Sequence, residues 1–223
     1  MQEKISCEGV RYIFRNRHSD ELVIIFSAIG NVSYNYRRAL IKSHRDQLFI
    51  KDAWAKGVSY YLYEEGRPYP QEKTSKFIEK WLKKKKYSKI HTVGSSKGGF
   101  AALFYGFKYK ATNIYAGACQ YNLGDYLATL EHKEYYHVTG NAVNDKDTLM
   151  LNRALASMIE QNRDAPIHVH LLYSTEEHTY RDHIIDLIDK LDECNIAHTD
   201  HVEDFPEHSM VGGPFKHLLM DSL

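Results

Sequence analysis

The segment from Gly94 to Gly98 carries the residues whose types and spacing most clearly indicate chemistry. It reads Gly94-Ser95-Ser96-Lys97-Gly98, which matches the pattern G-x-S-x-G. In this pattern a serine lies on a sharp strand-to-helix turn, and the glycines leave room for strained backbone and close packing. The pattern predicts Ser96 as a nucleophile for acyl carbonyls, with the backbone N–H of Lys97 facing the resulting oxyanion. The alternative is a glycine-rich turn with a packing role alone.

A nucleophilic serine needs a base, and the base needs an orienting acid. A late predicted strand (167–173) is followed by Glu176 and Glu177, and the last predicted strand (197–202) is followed by His208. These loops come in the order that serine hydrolases with this turn use: nucleophile, acid, base. We therefore predict Glu177 as the acid and His208 as the base, with Glu176 as an alternative acid.

A second oxyanion donor is expected in the loop after the predicted strand 22–26. This loop contains small residues that would let backbone approach a substrate. The backbone N–H of Ala28 is the predicted donor, and that of Ile29 is the alternative. An ordinary turn would also explain these residues.

Strands and helices alternate along the chain, as they must if these loops are to meet. Helical periodicity predicts helices at 34–48, 72–86, 100–108, 147–161, 179–194 and 213–222. Apolar and β-branched runs predict strands at 22–26, 58–63, 90–93, 111–121, 167–173 and 197–202, with short strands in 5–18 and irregular structure over 122–146. The alternation is typical of an α/β protein whose mostly parallel sheet has helices on both faces. No repeat or linker divides residues 1–223, which predicts a single domain.

Composition excludes several classes of protein. Lys and Arg number 29 and Asp and Glu number 29, so the formal net charge is zero and no nucleic-acid partner is expected. The apolar runs, such as Leu22 to Phe26, are too short to cross a bilayer. The 3 cysteines are far apart and show no paired spacing, which favours a reducing compartment and a cytoplasmic location. No cofactor is predicted.

The chain has 13 histidines, and two of them could suggest a metal site. His168 and His170 lie two apart in a predicted strand and share one face, while His178 and His183 follow in the next helix. No third ligand is fixed by spacing, so no metal is predicted.

Five segments resemble a bacterial group of α/β-hydrolases that includes capsular polysaccharide biosynthesis proteins of the XcbB/CpsF type. The segments are LVIIFSAIGNVSYNY (22–36), VGSSKGGFAALFYG (93–106), CQYNLGDYL (119–127), YSTEEHTYRDHI (173–184) and EHSMV (207–211). More distantly, the chain is similar to the hydrolase domain of the accessory secretion O-acetyltransferase. The resemblance implies the α/β-hydrolase fold, carbohydrate-linked acyl esters as substrates and glycan-assembly proteins as possible partners. Members have glycine where this chain has Ala28.

The leading hypothesis is a serine esterase or acyltransferase that acts on acyl esters, acetyl esters foremost, through Ser96, His208 and Glu177. The alternative is a non-catalytic subunit with the same fold that binds glycans or scaffolds their assembly. A metal-dependent hydrolase using His168 and His170 is a third hypothesis.

Overall fold

One sheet of eight strands organises the molecule. The structure is a computed structural model that describes residues 2–28, 34–130 and 132–223. The strand order is β1-β2-β4-β3-β5-β6-β7-β8. Strands β3 to β8 run parallel to one another, whereas β2 pairs antiparallel with both β1 and β4. The strands are β1 (Lys4–Ile5), β2 (Arg11–Arg15), β3 (Glu21–Phe26), β4 (Asp46–Lys51), β5 (Lys89–Ser95), β6 (Asn113–Gly117), β7 (His168–Tyr173) and β8 (Ala197–Val202). The predicted α/β class with a mostly parallel sheet is confirmed.

Helices cover both faces of the sheet unequally. They are α1 (Tyr69–Lys84), α2 (Lys97–Lys108), α3 (Leu123–Thr129), α4 (His132–Thr139), α5 (Asp145–Glu160), α6 (Ile185–Glu193) and α7 (Gly212–Ser222). Buried side chains from α1 to α6 belong to one large apolar cluster, whereas those of α7 belong to a smaller cluster on the opposite face. Among the described residues, no helix combines the length and the apolar character needed to cross a membrane.

Strand β3 is continuously apolar from Leu22 to Phe26 because both of its faces are buried. Leu22, Ile24 and Phe26 contribute to the larger cluster, while Val23 and Ile25 contribute to the smaller one. Successive side chains of a strand point to opposite faces, so a strand covered on both sides must be apolar at every position. The predicted strand 22–26 is confirmed, and its central position holds the loop at Ala28 beside β5.

Two predictions between the first strand and the first long helix are wrong. The predicted helix 34–48 is replaced by turns, a short 3₁₀ segment and strand β4. The predicted strand 58–63 is a run of turns, because Tyr60 and Tyr61 adopt positive φ values of 53° and 56°. A strand cannot contain such residues, since extended backbone requires negative φ.

The region 122–146 is also more regular than predicted, because it contains α3 and α4. Both helices are short, so they give weak periodicity in the sequence. The following helix, α5, begins where the side chain of Asn144 accepts a hydrogen bond from the backbone N–H of Asp147 at 3.0 Å. This cap satisfies one of the free donors at the helix start.

Candidate active site

Ser96 lies on a strained turn between β5 and α2. Its backbone angles are φ 53° and ψ −128°, a conformation that costs a non-glycine residue about 1–3 kcal/mol. The backbone N–H of Ser96 donates to Gly117 O on neighbouring β6 at 2.8 Å, which anchors the turn to the sheet. The turn presents the hydroxyl beyond the carboxyl ends of the parallel strands.

Two glycines allow this turn to form. A Cβ on Gly94 would lie 2.0 Å from Gly98 O, and one on Gly98 would lie 2.5 Å from Phe26 O. Because all of these contacts are with backbone, no side-chain movement could relieve them. The sequence therefore needs glycine at both ends of the motif, and the packing lets α2 start directly against β3 and β5.

The side chains of Ser96, His208 and Glu177 form a continuous chain of contacts. His208 Nε2 lies 2.9 Å from Ser96 Oγ, and His208 Nδ1 lies 3.0 Å from Glu177 Oε1. His208 begins a short 3₁₀ turn after β8, and Glu177 follows β7, so both come from loops at the same edge of the sheet as Ser96. Glu176 is exposed, and the carboxylate that contacts His208 is that of Glu177.

Glu177 is buried and heavily hydrogen-bonded. The hydroxyl of Thr179 donates to Glu177 Oε2, and His178 Nδ1 lies 2.8 Å from Glu177 Oε1. Burial raises the pKa of Glu177, but hydrogen bonds from His208 and Thr179 outweigh it and hold that pKa below its ordinary value. The carboxylate is therefore charged at neutral pH and can stabilise a protonated His208. Thr179 was not singled out from the sequence, and His178 was considered only as a metal ligand, although the adjacency of both residues to Glu177 was a visible signal.

The two predicted oxyanion donors differ in their surroundings. Lys97 is the first residue of α2, so its backbone N–H has no intrahelical acceptor and is free to face a substrate. The backbone N–H of Ala28 donates to Asn35 Oδ1 at 3.1 Å, so the Asn35 side chain must turn away before Ala28 can bind an oxyanion. Ile29, the alternative donor, lies outside the described residues.

No family model matches the chain, and no curated protein matches it by sequence. Solved structures do match. The capsule O-acetyltransferase of Neisseria meningitidis serogroup A superposes with a TM-score of 0.82 at 19% identity, over 98% of this chain and 92% of that chain. A mutant of that enzyme in complex with CoA superposes with a TM-score of 0.84 at 20% identity, over 98% of this chain and 93% of that chain.

Two further solved structures are similar. The S-formylglutathione hydrolase from Agrobacterium tumefaciens has a TM-score of 0.70 at 13% identity, over 99% of this chain and 91% of that chain. The chain has the α/β-hydrolase fold. The Glycosylation Associate Protein (Gap123) complex from Streptococcus agalactiae matches with a TM-score of 0.75 at 16% identity, over 99% of this chain and 45% of that chain. The predicted resemblance to capsule-associated and secretion-associated α/β-hydrolases is thus confirmed at the level of the fold.

A buried ion pair lies beneath the turn that holds Ser96. Lys97 Nζ lies 2.9 Å from Asp52 Oδ2 and donates to Gly57 O at 2.5 Å, and the side chains of Lys97 and Asp52 are 0% exposed. The ammonium lies 5.3 Å from the centroid of the Tyr61 ring. Burial lowers the pKa of Lys97, while the Asp52 carboxylate opposes that shift. The signal in the sequence was a lysine within a motif of small residues, but its partner could not be found from spacing.

The histidines considered as metal ligands do not gather into a site. His168 and His170 share a face of β7 with their rings 4.6 Å apart, and His170 Nδ1 lies 3.3 Å from His201 Nε2. His183 is buried elsewhere, against Tyr126. Over the described parts of the chain, no group of three or more His, Cys, Asp or Glu side chains could hold a metal ion.

Proposed function

We propose that this chain is a serine-dependent O-acyltransferase that moves an acyl group, an acetyl group foremost, onto a carbohydrate hydroxyl through an acyl-enzyme. The observation that carries the proposal is the contact chain from Ser96 through His208 to Glu177. It aligns a hydroxyl, an imidazole and a buried carboxylate in the order that acyl transfer requires. The solved structures with this fold, among them a capsule O-acetyltransferase, support the same chemistry.

In the first half-reaction, Ser96 Oγ attacks the carbonyl carbon of the acyl donor while His208 Nε2 accepts the hydroxyl proton. Glu177 stabilises the imidazolium that forms, and the backbone N–H groups of Lys97 and Ala28 stabilise the oxyanion. The tetrahedral intermediate then collapses, and His208 returns the proton to the leaving group. Since a similar structure holds CoA, we propose a CoA thioester as the donor, with the free thiol of CoA as leaving group.

In the second half-reaction, a carbohydrate hydroxyl gives its proton to His208 and attacks the acyl-Ser96 ester. Collapse of the second intermediate releases the carbohydrate ester and returns the proton to Ser96 Oγ. Water in place of the carbohydrate would give ester or thioester hydrolysis by the same steps, so hydrolysis is the side reaction that we expect when no acceptor is present.

Substituting Ser96→Ala tests the proposal. We expect the variant to lose at least about 10³-fold in the rate of p-nitrophenyl acetate hydrolysis and in acetyl transfer from acetyl-CoA, because the nucleophile is absent. Ser88→Ala is a matched control, since Ser88 is exposed and contacts Asp20 before β5 begins. It should keep the wild-type rates.

A fluorophosphonate probe adds a measurement that does not require the natural substrate. Mass spectrometry should locate the probe on Ser96 in the wild-type protein and find none in Ser96→Ala. Full esterase activity in Ser96→Ala would contradict the mechanism. If the probe does not label the wild-type protein and that protein has no esterase activity, the result would instead favour a non-catalytic, glycan-binding subunit.

A further inference from the structure

A basic cleft lies next to the candidate active site. Its volume is about 710 Å³, within the range of small-molecule sites. It is lined by residues from the end of β2, from the segment after the Ala28 loop and from the start of α7: Arg15, Tyr34, Asn35, Tyr36, Arg37, Arg38, Ala39, Ile41, Gly212 and Lys216. We call this feature the basic cleft.

The lining of the basic cleft has charge of one sign. Four of its residues are cationic (Arg15, Arg37, Arg38 and Lys216), and none is Asp or Glu. Another cleft of similar size, along α1, contains Glu72 and Glu79 among its lysines. Since the whole chain has equal numbers of acidic and basic residues, the basic cleft is a local concentration of positive charge and not a result of composition.

In the part of the chain that the structure describes, the cations of the basic cleft have no carboxylate partners. Within the described residues, none of the four forms an ion pair. Arg37 Nε is buried without a hydrogen-bond acceptor. Arg15 donates to the backbone oxygens of Leu40 and Arg37, both at 3.2 Å, which fixes a buried positive charge behind the cleft. The carboxylate of Glu3 accepts from Tyr34 OH at 2.7 Å, but Glu3 does not line the cleft.

The basic cleft adjoins the proposed nucleophile and base. The Tyr36 hydroxyl lies 2.5 Å from Ser95 Oγ, and Ser95 precedes Ser96. Gly212 begins α7 directly after the 3₁₀ turn that starts at His208. Gly212 and Lys216 of α7 both line this cleft, which places the cleft close to the segment that carries His208.

We propose that the basic cleft binds the phosphate groups of the acyl donor, a CoA thioester; this inference rests on the function proposed above. CoA carries a pyrophosphate and a 3′-phosphate at the end of the molecule remote from its acyl group. A CoA thioester therefore needs a cationic site at some distance from the nucleophile, where its phosphates lie when its acyl group is at Ser96. Arginine is the side chain best suited to hold phosphate oxygens, because its planar donors can bind two at once. A neutral carbohydrate acceptor would give no reason for unpaired arginines here.

The double variant Arg37→Gln/Arg38→Gln tests this assignment with two acyl donors. Acetyl-CoA carries the phosphates, whereas S-acetyl-N-acetylcysteamine has the same thioester without them. We expect kcat/KM for acetyl-CoA to fall by at least about tenfold, since each charge-assisted hydrogen bond contributes more than a neutral one. The ratio of kcat/KM for acetyl-CoA to that for the short thioester should fall with it. Adenosine 3′,5′-bisphosphate should inhibit the wild type competitively, with an inhibition constant at least about tenfold higher in the variant.

Lys76→Gln/Lys83→Gln is the matched control, because it removes two exposed positive charges from α1, away from the basic cleft. It should keep the wild-type ratio. If the double arginine variant does not fold, Arg38→Gln alone replaces it, since Arg38 is exposed and should lower the ratio at least about threefold.

An unchanged ratio in the arginine variants, with Ser96→Ala inactive, would overturn the cleft assignment and leave the proposed function intact. If the arginine substitutions weaken only the binding of an anionic polysaccharide acceptor, that result would also overturn the cleft assignment, because the cleft would then bind the acceptor. Active Ser96→Ala would instead refute the proposed function.

Discussion

At the scale of single residues, Glu177 has the most demanding position of the proposed triad. It is 1% exposed, yet it holds a charge next to His208, His178 and Thr179. A buried carboxylate persists in its charged form only when hydrogen bonds and opposite charges replace water. Its surroundings therefore suit it to hold one tautomer of His208 and to stabilise the imidazolium.

Replacing the Glu177 carboxylate by an amide removes its charge and keeps the shape of the side chain. In Glu177→Gln, we expect kcat for p-nitrophenyl acetate hydrolysis to fall about 10³–10⁴-fold, because an amide stabilises neither the required tautomer nor the imidazolium. Glu176→Gln is the matched control next to it and should keep most of the activity. Equal losses in the two variants would argue against Glu177 as the acid.

The sequence could predict which three residues approach each other, because strand order and loop position restrict the candidates. Ser96, Glu177 and His208 were chosen in this way, and the structure places their side chains in contact. Their catalytic roles stay predictions. Contacts that depend on tertiary structure could not be predicted, among them Asn35 with Ala28 and Lys97 with Asp52.

At the scale of elements, the turn before α2 and the loop after β4 are joined by buried polar contacts. Asp52 follows β4, and its carboxylate accepts from Ser59 Oγ at 2.6 Å and binds Lys97 at the start of α2. Tyr61 OH accepts from the backbone N–H of Ser27 at 2.9 Å, which connects the same loop to the end of β3. These contacts explain why 58–63 forms turns. Its apolar, aromatic pattern is that of a strand, but the polar groups fix positive φ at Tyr60 and Tyr61.

Removing one partner of the buried ion pair should therefore destabilise the fold more than removing both partners. Lys97→Met leaves the Asp52 carboxylate buried without a cation, so we expect the free energy of unfolding to fall by about 3–5 kcal/mol. The double variant Lys97→Met/Asp52→Leu should recover much of that loss, since no buried charge is left alone. Urea denaturation of wild type and both variants at pH 7 measures the difference. A double variant as unstable as the single one would show that the pair acts mainly through packing.

The predicted helix 34–48 failed for a different reason. Leu48, Phe49 and Ile50 are buried in β4, but a short apolar run does not by itself distinguish a strand from a buried helix. Pairing with β3 decides the matter, because Leu48 lies opposite Ile24 in the parallel register. Such pairing is a property of the whole sheet and not of the local sequence.

At the scale of the whole molecule, the continuous sheet and its two apolar clusters support the proposal of a single domain over residues 1–223. Folding into this core also buries ionisable groups. Burial, the largest effect, lowers the pKa of His91 and of His183 to about 4. Around His183, Asp182, Glu177 and Asp186 raise that pKa and His178 lowers it further.

The buried histidines predict a loss of stability in mild acid. An unfolded histidine has a pKa of about 6.5, so between pH 6.5 and 4 the unfolded chain binds protons that the folded chain does not. The free energy of unfolding should therefore fall as the pH decreases through this range, by about 2–3 kcal/mol for a histidine such as His183. In His183→Phe the fall should be smaller by that amount. Urea denaturation at several pH values between 7.5 and 4 gives both slopes, and parallel slopes would contradict the assignment.

The contact between Ser96 and His208 joins residues that are 112 positions apart in the chain. At a synthesis rate of about 5–20 residues per second, Ser96 is added to the growing chain roughly 6–22 s before His208. During that interval Ser96 has no His208 beside it, so the proposed mechanism cannot operate in the growing chain. Under the proposed mechanism, acyl transfer would begin only when β8 has joined the sheet and brought His208 to Ser96, so activity would report that this part of the fold has formed.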